Sequence, residues 1–348
     1  MPVPPPNTEL IVDTAAIVAN WRAFAAAAPA AACGAAVKAD GYGLGAGPVA
    51  AALVAAGCRD LFVAHWHEVA ALGPLPDGVR VATLHGVAAA EMDHAVASHA
   101  VPVLVTPAQV QAWRQTGRPC DVMVDTGLNR LGIAPADALS GLLDGLPIHT
   151  LHSHLACAEL PGNPLNRRQR DGFAALSARI PAQRYALANS GGIGMGPDYH
   201  FDLTRPGIGL FGGGAAPGSE PLLPVARLAA RILQLRDIAA GESIGYGATF
   251  TTQRATRLAV VALGYADGYV RSLSNTGAAL AGVVRCPAAG RVSMDLASFD
   301  VTDAGDAGLA EGGWLEIDFD LTATAAASGR TEYELLTGLG TRFARRYA

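Results

Sequence analysis

Lysine is almost absent. The 348-residue chain carries 25 basic residues, of which Lys38, in "AAVKADGYGLG", is the single lysine. Arginine and lysine serve about equally well as solvated charges, so a sequence that uses arginine elsewhere keeps lysine where a guanidinium fails. A desolvated amine can lose its proton, attack a carbonyl and act as a base, and a guanidinium cannot. Chance survival in a biased genome is the bland alternative, and the neighbouring residues decide between the two. Other scarcities exclude whole classes of function. Charged residues make up only 16%, with a net charge of −5, so there is no basic field for nucleic acid or an anionic membrane. No uninterrupted apolar run reaches the length of a membrane span. The opening "MPVPPPNTELIVD" lacks the basic and apolar segments of a signal peptide. Cysteine is sparse: Cys33, Cys58, Cys120, Cys157 and Cys286 are an odd set without CxxC spacing. Buried reduced thiols in a cytoplasmic protein are expected, with no metal site.

Half of the residues are hydrophobic, 51%, which supports a large core. Short apolar runs recur at a spacing of roughly 20 to 35 residues, as repeated β-α units require. They are "CGAAVKA", "DLFVAH", "VRVATLHG", "VPVLVT", "CDVMVDT", "IHTLHSH", "RYALANS" and "FDLTRPGIGL". Helix-compatible segments such as "GAGPVAAALVAAG" and "NRRQRDGFAALSARI" lie between them. Eight units fit a closed parallel (β/α)8 barrel, with an open doubly wound sheet as the alternative. After the Gly/Pro-rich "FGGGAAPGSEPLLPV" the texture becomes alternating and turn-rich, with one short helix near "TEYELLTGLG". The expected architecture is α/β: a barrel over 1–222 and a smaller, mainly β domain over 223–348.

Function in a parallel barrel gathers at the C-terminal ends of the strands. Lys38 ends the first run, Arg130 follows the fifth and His154 the sixth. Asn189 and Ser190 end the seventh, and Arg205 with "PGIG" ends the eighth. Small residues in "NSGGIGMG" and "PGIGLFGGG" free backbone N–H groups to approach an anion, although a Gly-rich loop alone is more often a turn. Beside a lone lysine on the same rim they suggest a phosphorylated aldehyde cofactor, pyridoxal phosphate, held as a Schiff base.

These residues carry a family resemblance. "VKADGYGLG" resembles the pyridoxal-phosphate attachment signature of alanine racemases. "NTELIVDTAAIVANWRAF", "VDTGLNRLG", "HSHLACAE", "ANSGG", "TRPGIGLFG", "LGYADG", "GRVSMDLASFDVT" and "YELLTGLGTRFARRY" follow in that family's order along the whole chain. The resemblance implies a homodimer whose active sites use both subunits. It implies Lys38 as cofactor anchor and as the base on one face of the substrate, and Tyr265 of the other subunit on the opposite face. By the same resemblance His154 hydrogen-bonds that tyrosine and Arg205 faces the pyridine nitrogen. For the phosphate the resemblance points to Tyr42, Ser190 and the backbone of Gly207 and Ile208, and it puts Leu84 and Asn189 at the cofactor as well. Arg130 resembles the residue that contacts the cofactor's phenolic oxygen and the substrate carboxylate. For that carboxylate the resemblance adds the backbone N–H of Met294 from the partner chain; Asp295, in the same "SMD" motif, is expected to be structural.

Two positions depart from the family pattern. Where members often carry a carbamylated lysine that orients the arginine, this chain has Met123, so something else must neutralise or orient Arg130, an anion such as chloride being one option. The tyrosine that the family commonly places near the C-terminus is matched by Phe343, whose ring cannot donate a hydrogen bond to phosphate, with Tyr347 as the nearest substitute. Rival readings are a serine or broad-specificity racemase, a decarboxylase of the related barrel family, and a single-domain pyridoxal-phosphate carrier. "GYADG" followed by "SMD" disfavours the decarboxylase, and the residues beyond the barrel disfavour the carrier.

Overall fold

The structure, a computed structural model, describes residues 6–218, 220–305 and 307–348. Residues 1–5, part of the segment read for a leader, lie outside the described residues. The chain divides into two compact units, one of Ala15–Leu223 and one of Met1–Thr14 with Pro224–Ala348.

In the first unit the apolar runs become parallel strands. Seven of them, among the described residues, pair in sequence order: Ala35–Ala36, Asp60–Val63, Arg80–Thr83, Val101–Leu104, Cys120–Met123, Ile148–His152 and Arg184–Ala186. Strands covered on both faces need apolar residues at consecutive positions, which is why these segments read as runs rather than alternations. The eighth run closes the ring. Leu203–Thr204 pairs in parallel with Ala32–Cys33, and Arg205 bridges to Asn189 at the end of the seventh run. The Arg205 N–H donates to the Ala188 carbonyl at 2.8 Å, and the Ala36 N–H to that of Pro206 at 2.9 Å. The arrangement is a closed (β/α)8 barrel, and the open sheet is excluded.

Helices start where the capping chemistry allows. Thr106 caps Pro107–Arg114 and Asn163 caps Pro164–Ser177, each with proline in the first turn, where a missing N–H costs nothing. Asn20, buried on Thr14–Ala27, binds Leu223 in both directions: its Nδ2 donates to the Leu223 carbonyl (3.0 Å) and its Oδ1 accepts the Leu223 N–H (2.8 Å). That pair fixes where the barrel unit ends. Inside the barrel, charges are matched in place. Arg184 pairs with Asp60, and Asp121 accepts from both guanidinium nitrogens of Arg80 and from His152 Nε2 at 3.0 Å.

The second unit is built on one long strand, Ala226–Ile238. Its first half pairs antiparallel with Thr8–Val12 and Trp314–Ile317. A register shift between Ile232 and Gln234 lets its second half pair with Thr256–Val261. Thr8–Val12 also runs parallel to Ala344–Tyr347. The opening strand therefore belongs to the β unit, whereas the sequence reading assigned residues from 1 onward to the barrel. An isolated apolar strand shows no preference for a sheet; register with Ala226–Ile238 supplies it. The expected short helix is Glu332–Thr337, and a second, Leu321–Ser328, precedes it. Phe343 is buried in this unit, and Tyr347 lies at the end of the parallel strand.

Candidate active site

Lys38 stands directly after the Ala35–Ala36 strand, half-buried, where the chain makes an unusual turn. Ala39, Asp40, Gly41 and Tyr42 all have positive φ, at 53°, 54°, 60° and 56°. A left-handed backbone costs an L-residue roughly 1–2 kcal/mol per position, so the three non-glycine residues are held there by their surroundings. The Gly43 N–H donates to the Ala39 carbonyl (2.8 Å), the Gly45 N–H to that of Asp40 (2.8 Å), and the Ala46 N–H to Asp40 Oδ1 (2.8 Å). Burial lowers the pKa of the Lys38 amine, and the Arg130 cation lowers it further, against an opposing contribution from Glu68.

Around it the rim presents groups in contrasting electrostatic settings. Tyr42 is buried and stacked on Phe211, and burial pushes its hydroxyl up to about 12, so it remains a donor. A side chain at Gly207 would collide with that hydroxyl, and one at Gly209 with the Phe24 ring. The glycines are needed for close approach of the backbone. Ser190 Oγ accepts the N–H of Gly207 at 2.9 Å and of Gly209 at 3.2 Å. Asn189 Oδ1 accepts the Gly192 N–H at 3.0 Å, capping the short helix Ser190–Gly194.

Arg205 is buried. One terminal nitrogen donates to the Ser153 carbonyl at 2.7 Å; the other, Nη1, is buried without a partner. Burial brings its pKa down to about 10, opposed by Asp121. His154 is driven down to about 3 by burial and then by Arg205, Arg130 and Lys38, so it is a neutral imidazole. Arg130 is exposed at the end of a loop folded on Asp125, whose Oδ1 accepts the N–H groups of Gly127 (2.8 Å) and Leu128 (2.9 Å). Leu84 is half-buried beyond Arg80–Thr83, and Met123 is buried at its strand end.

The residues present fit pyridoxal phosphate. An amine of lowered pKa can bind an aldehyde, the unpartnered donor of Arg205 suits a ring nitrogen, and the glycine-lined backbone near Tyr42 and Ser190 suits a phosphate. Among the described residues no three His, Cys, Asp or Glu side chains gather to hold a metal ion, and the five cysteines are free.

The β unit carries its own cluster. Tyr265 opens a 3-10 turn, Tyr265–Asp267, closed by the Gly264 N–H donating to Asp267 Oδ2 at 2.9 Å. The Tyr265 N–H donates to the Ser293 carbonyl and the Ala266 N–H to that of Met294, each at 3.0 Å. "GYADG" and "SMD" are thus one structure, and Gly264 has no room for a side chain against Met294. Arg342 binds both halves, reaching Asp267 Oδ1 and Asp295 Oδ1 at 2.7 Å each. Tyr265 and Met294 are exposed beside an open concavity of about 390 Å3, also lined by Tyr246, Arg271 and Arg291.

Sequence reasoning missed Asp60, Arg80, Asp121, His152 and Arg184 in the barrel and Arg342 in the β unit. Charged residues within otherwise apolar runs were the available signal for the barrel pairs.

Comparison with known proteins accounts for both units. Residues 12–215 match the model of the alanine racemase N-terminal domain, and residues 225–347 that of the C-terminal domain. A biosynthetic alanine racemase of Agrobacterium fabrum is 42% identical over 97% of this chain and 93% of its own length. A catabolic alanine racemase of the same organism is 41% identical over 97% of this chain and 91% of its own. The crystal structure of alanine racemase from Bartonella henselae with covalently bound pyridoxal phosphate superposes with a TM-score of 0.90 at 34% identity, covering 99% of this chain and all of that one.

Proposed function

This chain belongs to the alanine racemase family and interconverts the enantiomers of alanine with pyridoxal phosphate, and we propose that it does so with two bases, Lys38 and the Tyr265 of a second copy. Bound pyridoxal phosphate supplies the electron sink without which the α-proton is too weakly acidic for a side-chain base. Lys38 would hold it through the amine, Tyr42, Ser190 and the backbone of Gly207 and Ile208 at the phosphate, and Arg205 at the ring nitrogen, with Leu84, Asn189 and His154 lining the place.

Inversion requires a proton removed on one face and another delivered on the opposite face. The lowered pKa of Lys38 favours the neutral amine that can take a proton from its face. The Tyr265 hydroxyl serves the other face, and neutral His154 offers it an acceptor that eases its proton transfer. Arg205, a buried cation, disfavours protonation of the ring nitrogen, because like charges repel. With the cofactor bound, this would weaken the sink and limit side reactions such as transamination. Arg130 and the Met294 N–H of the second copy hold the substrate carboxylate and orient the α-carbon. The exposure of Tyr265 and Met294 supports the homodimer. Free thiols fit a reducing cytoplasm, and among the described residues no helix is long and apolar enough to cross a membrane.

The observation that carries this reading is the single lysine, of lowered pKa, on the same barrel rim as Arg205 with its unpartnered donor. Borohydride reduction of the loaded enzyme, followed by peptide mapping, should place the cofactor on the Lys38 peptide. Label on the N-terminal amine instead would overturn it. The product either supplies cell-wall peptidoglycan or serves alanine catabolism; rescue of a D-alanine auxotroph, against growth on alanine as carbon source, separates the two.

A further inference from the structure

The helix Trp66–Ala71 opens with a capping box in which Glu68 reaches back to its own N-terminus. Glu68 Oε2 does this work, accepting the N–H of His65 at 3.1 Å and of Ala64 at 2.6 Å. A capping box needs only one side-chain oxygen. The other, Oε1, accepts the N–H of Ala39 at 2.7 Å. Ala39 follows Lys38 and begins the left-handed turn. The hydrogen bonds of Gly43, Gly45 and Ala46 stay within the turn's own segment, whereas Glu68 comes from the next strand–helix unit of the barrel. Burial opposes ionisation of Glu68, but the N–H groups of His65, Ala39 and Ala64 hold its pKa below the usual carboxylate value, so it is an anion.

We propose that Glu68 is a positioning residue for the racemase reaction, its Oε1 anchoring the left-handed turn through Ala39 so that the Lys38 amine is held in one place. The inference rests on Lys38 being the attachment point. Glutamine at position 68 keeps an oxygen for the capping box and turns its NH2 toward the Ala39 N–H, donor against donor. The substitution therefore separates the anchor from the helix cap. Glu91→Gln is the control, because Glu91 closes a similar capping box on the Ala88 N–H (2.8 Å) in the next unit.

The experiment follows covalent attachment of pyridoxal phosphate to the apoprotein by borohydride trapping and mass spectrometry, from pH 6 to 10, with racemisation kinetics alongside. Glu68→Gln should attach the cofactor at Lys38 with a plateau rate about tenfold lower. Its kcat should fall about tenfold with KM for alanine nearly unchanged, a misplaced group costing rate rather than substrate binding. Glu91→Gln should match the parent. The amine is faced by Arg130, Glu68, His85 and His154, so loss of charge alone would displace the attachment profile along the pH axis with its plateau intact. That result, an unchanged plateau and kcat, or equal losses in Glu91→Gln would each overturn the proposal. Should Glu68→Gln not fold, Glu68→Asp keeps the charge but is too short to span both sets of N–H groups. A lowered plateau there supports the anchor, and an unchanged one overturns it. Label away from Lys38 in the parent protein would instead defeat the reading on which the inference rests.

Discussion

The barrel rim and the β unit present their reactive groups in opposite settings. On the rim, burial sets the chemistry: it lowers Lys38, drives His154 down to about 3 and Arg205 to about 10, and pushes Tyr42 up to about 12. In the β unit, Tyr265 is 43% and Met294 53% exposed, held in place by backbone hydrogen bonds and glycine packing rather than enclosed. Low-dielectric surroundings make charge states decisive on the rim. Open surroundings leave Tyr265 fixed by its backbone and exposed, as the proposed sharing of the site with a second copy requires. On the two-base reading proposed above, the barrel supplies preorganised electrostatics and the β unit an uncovered acid, Tyr265.

The sharpest test removes the amine from the rim. Lys38→Arg keeps a cation and forfeits the neutral amine, so covalent cofactor attachment should vanish. Racemisation should fall by roughly 10⁴-fold or more, beyond what loss of one proton-transfer group usually costs. Substantial activity measured by chiral chromatography would break the assignment.

Removing the exposed partner should be less severe and directional. Tyr265→Ala should lose about 10²- to 10⁴-fold in racemisation, the usual contribution of a positioned acid–base group, while the visible cofactor band persists. Lys38 should still exchange the α-proton of D-alanine with deuterium, and L-alanine should exchange far more slowly. Equal exchange from both enantiomers would mean that one base serves both faces. Mixing Lys38→Ala with Tyr265→Ala subunits extends the test. If the sites are shared, mixed dimers hold one intact site and recover activity. No recovery after demonstrated subunit exchange would put both bases on one chain.

The sequence made the rim legible because its chemistry coincides with strand ends. Lys38, His154 and Arg205 each follow an apolar run, and a parallel barrel gathers such ends together. What lay outside its reach was register and local backbone. "ELIV" reads as a strand, but its pairing with Ala226–Ile238 depends on distant residues. Gly41 and Gly43 announce a turn, yet nothing local says that Ala39, Asp40 and Tyr42 share its positive φ. Glu68 escaped because its capping box begins at His65 rather than at serine or threonine. Asp121 and Arg80 escaped because a charge inside an apolar run is interpretable only once its neighbours across the barrel are known.

That hidden pairing gives the barrel a pH dependence of its own. His152 is fully buried and lies at about 4, lowered chiefly by burial, against 6.5 ordinarily. The unfolded chain takes up a proton below 6.5 that the folded chain refuses until about 4. The histidine's contribution is therefore complete above 6.5 and drains away as pH falls toward 4. His152→Gln should cost about 2 kcal/mol at pH 7 through the weakened bond to the Asp121 carboxylate. The gap in Tm between parent and variant, about 3 °C at pH 7 for a chain of this length, should then largely close as the buffer is taken to pH 4.5. A gap constant with pH would show that His152 is not the titrating group.

The smallest effect belongs to the open side. Asp295 pairs with Arg342 at 2.7 Å, but their side chains are 58% and 48% exposed. Water competes for both groups and salt screens them, so such a pair contributes about 0.5 kcal/mol. Arg342 keeps its second bond to Asp267, whose carboxylate is buried and also fixes the Gly264 N–H ahead of Tyr265. Asp295→Ala should accordingly leave Tm within about 2 °C of the parent and kcat within about threefold, since the buried half of the network still holds the tyrosine turn. Arg342→Ala removes both bonds and strands the buried Asp267, so it should destabilise clearly more than Asp295→Ala. The contrast between buried and open groups thus recurs within one ion-pair network. Equal losses in the two variants, measured by thermal unfolding at 50 and 500 mM salt, would show that exposure is not what ranks them.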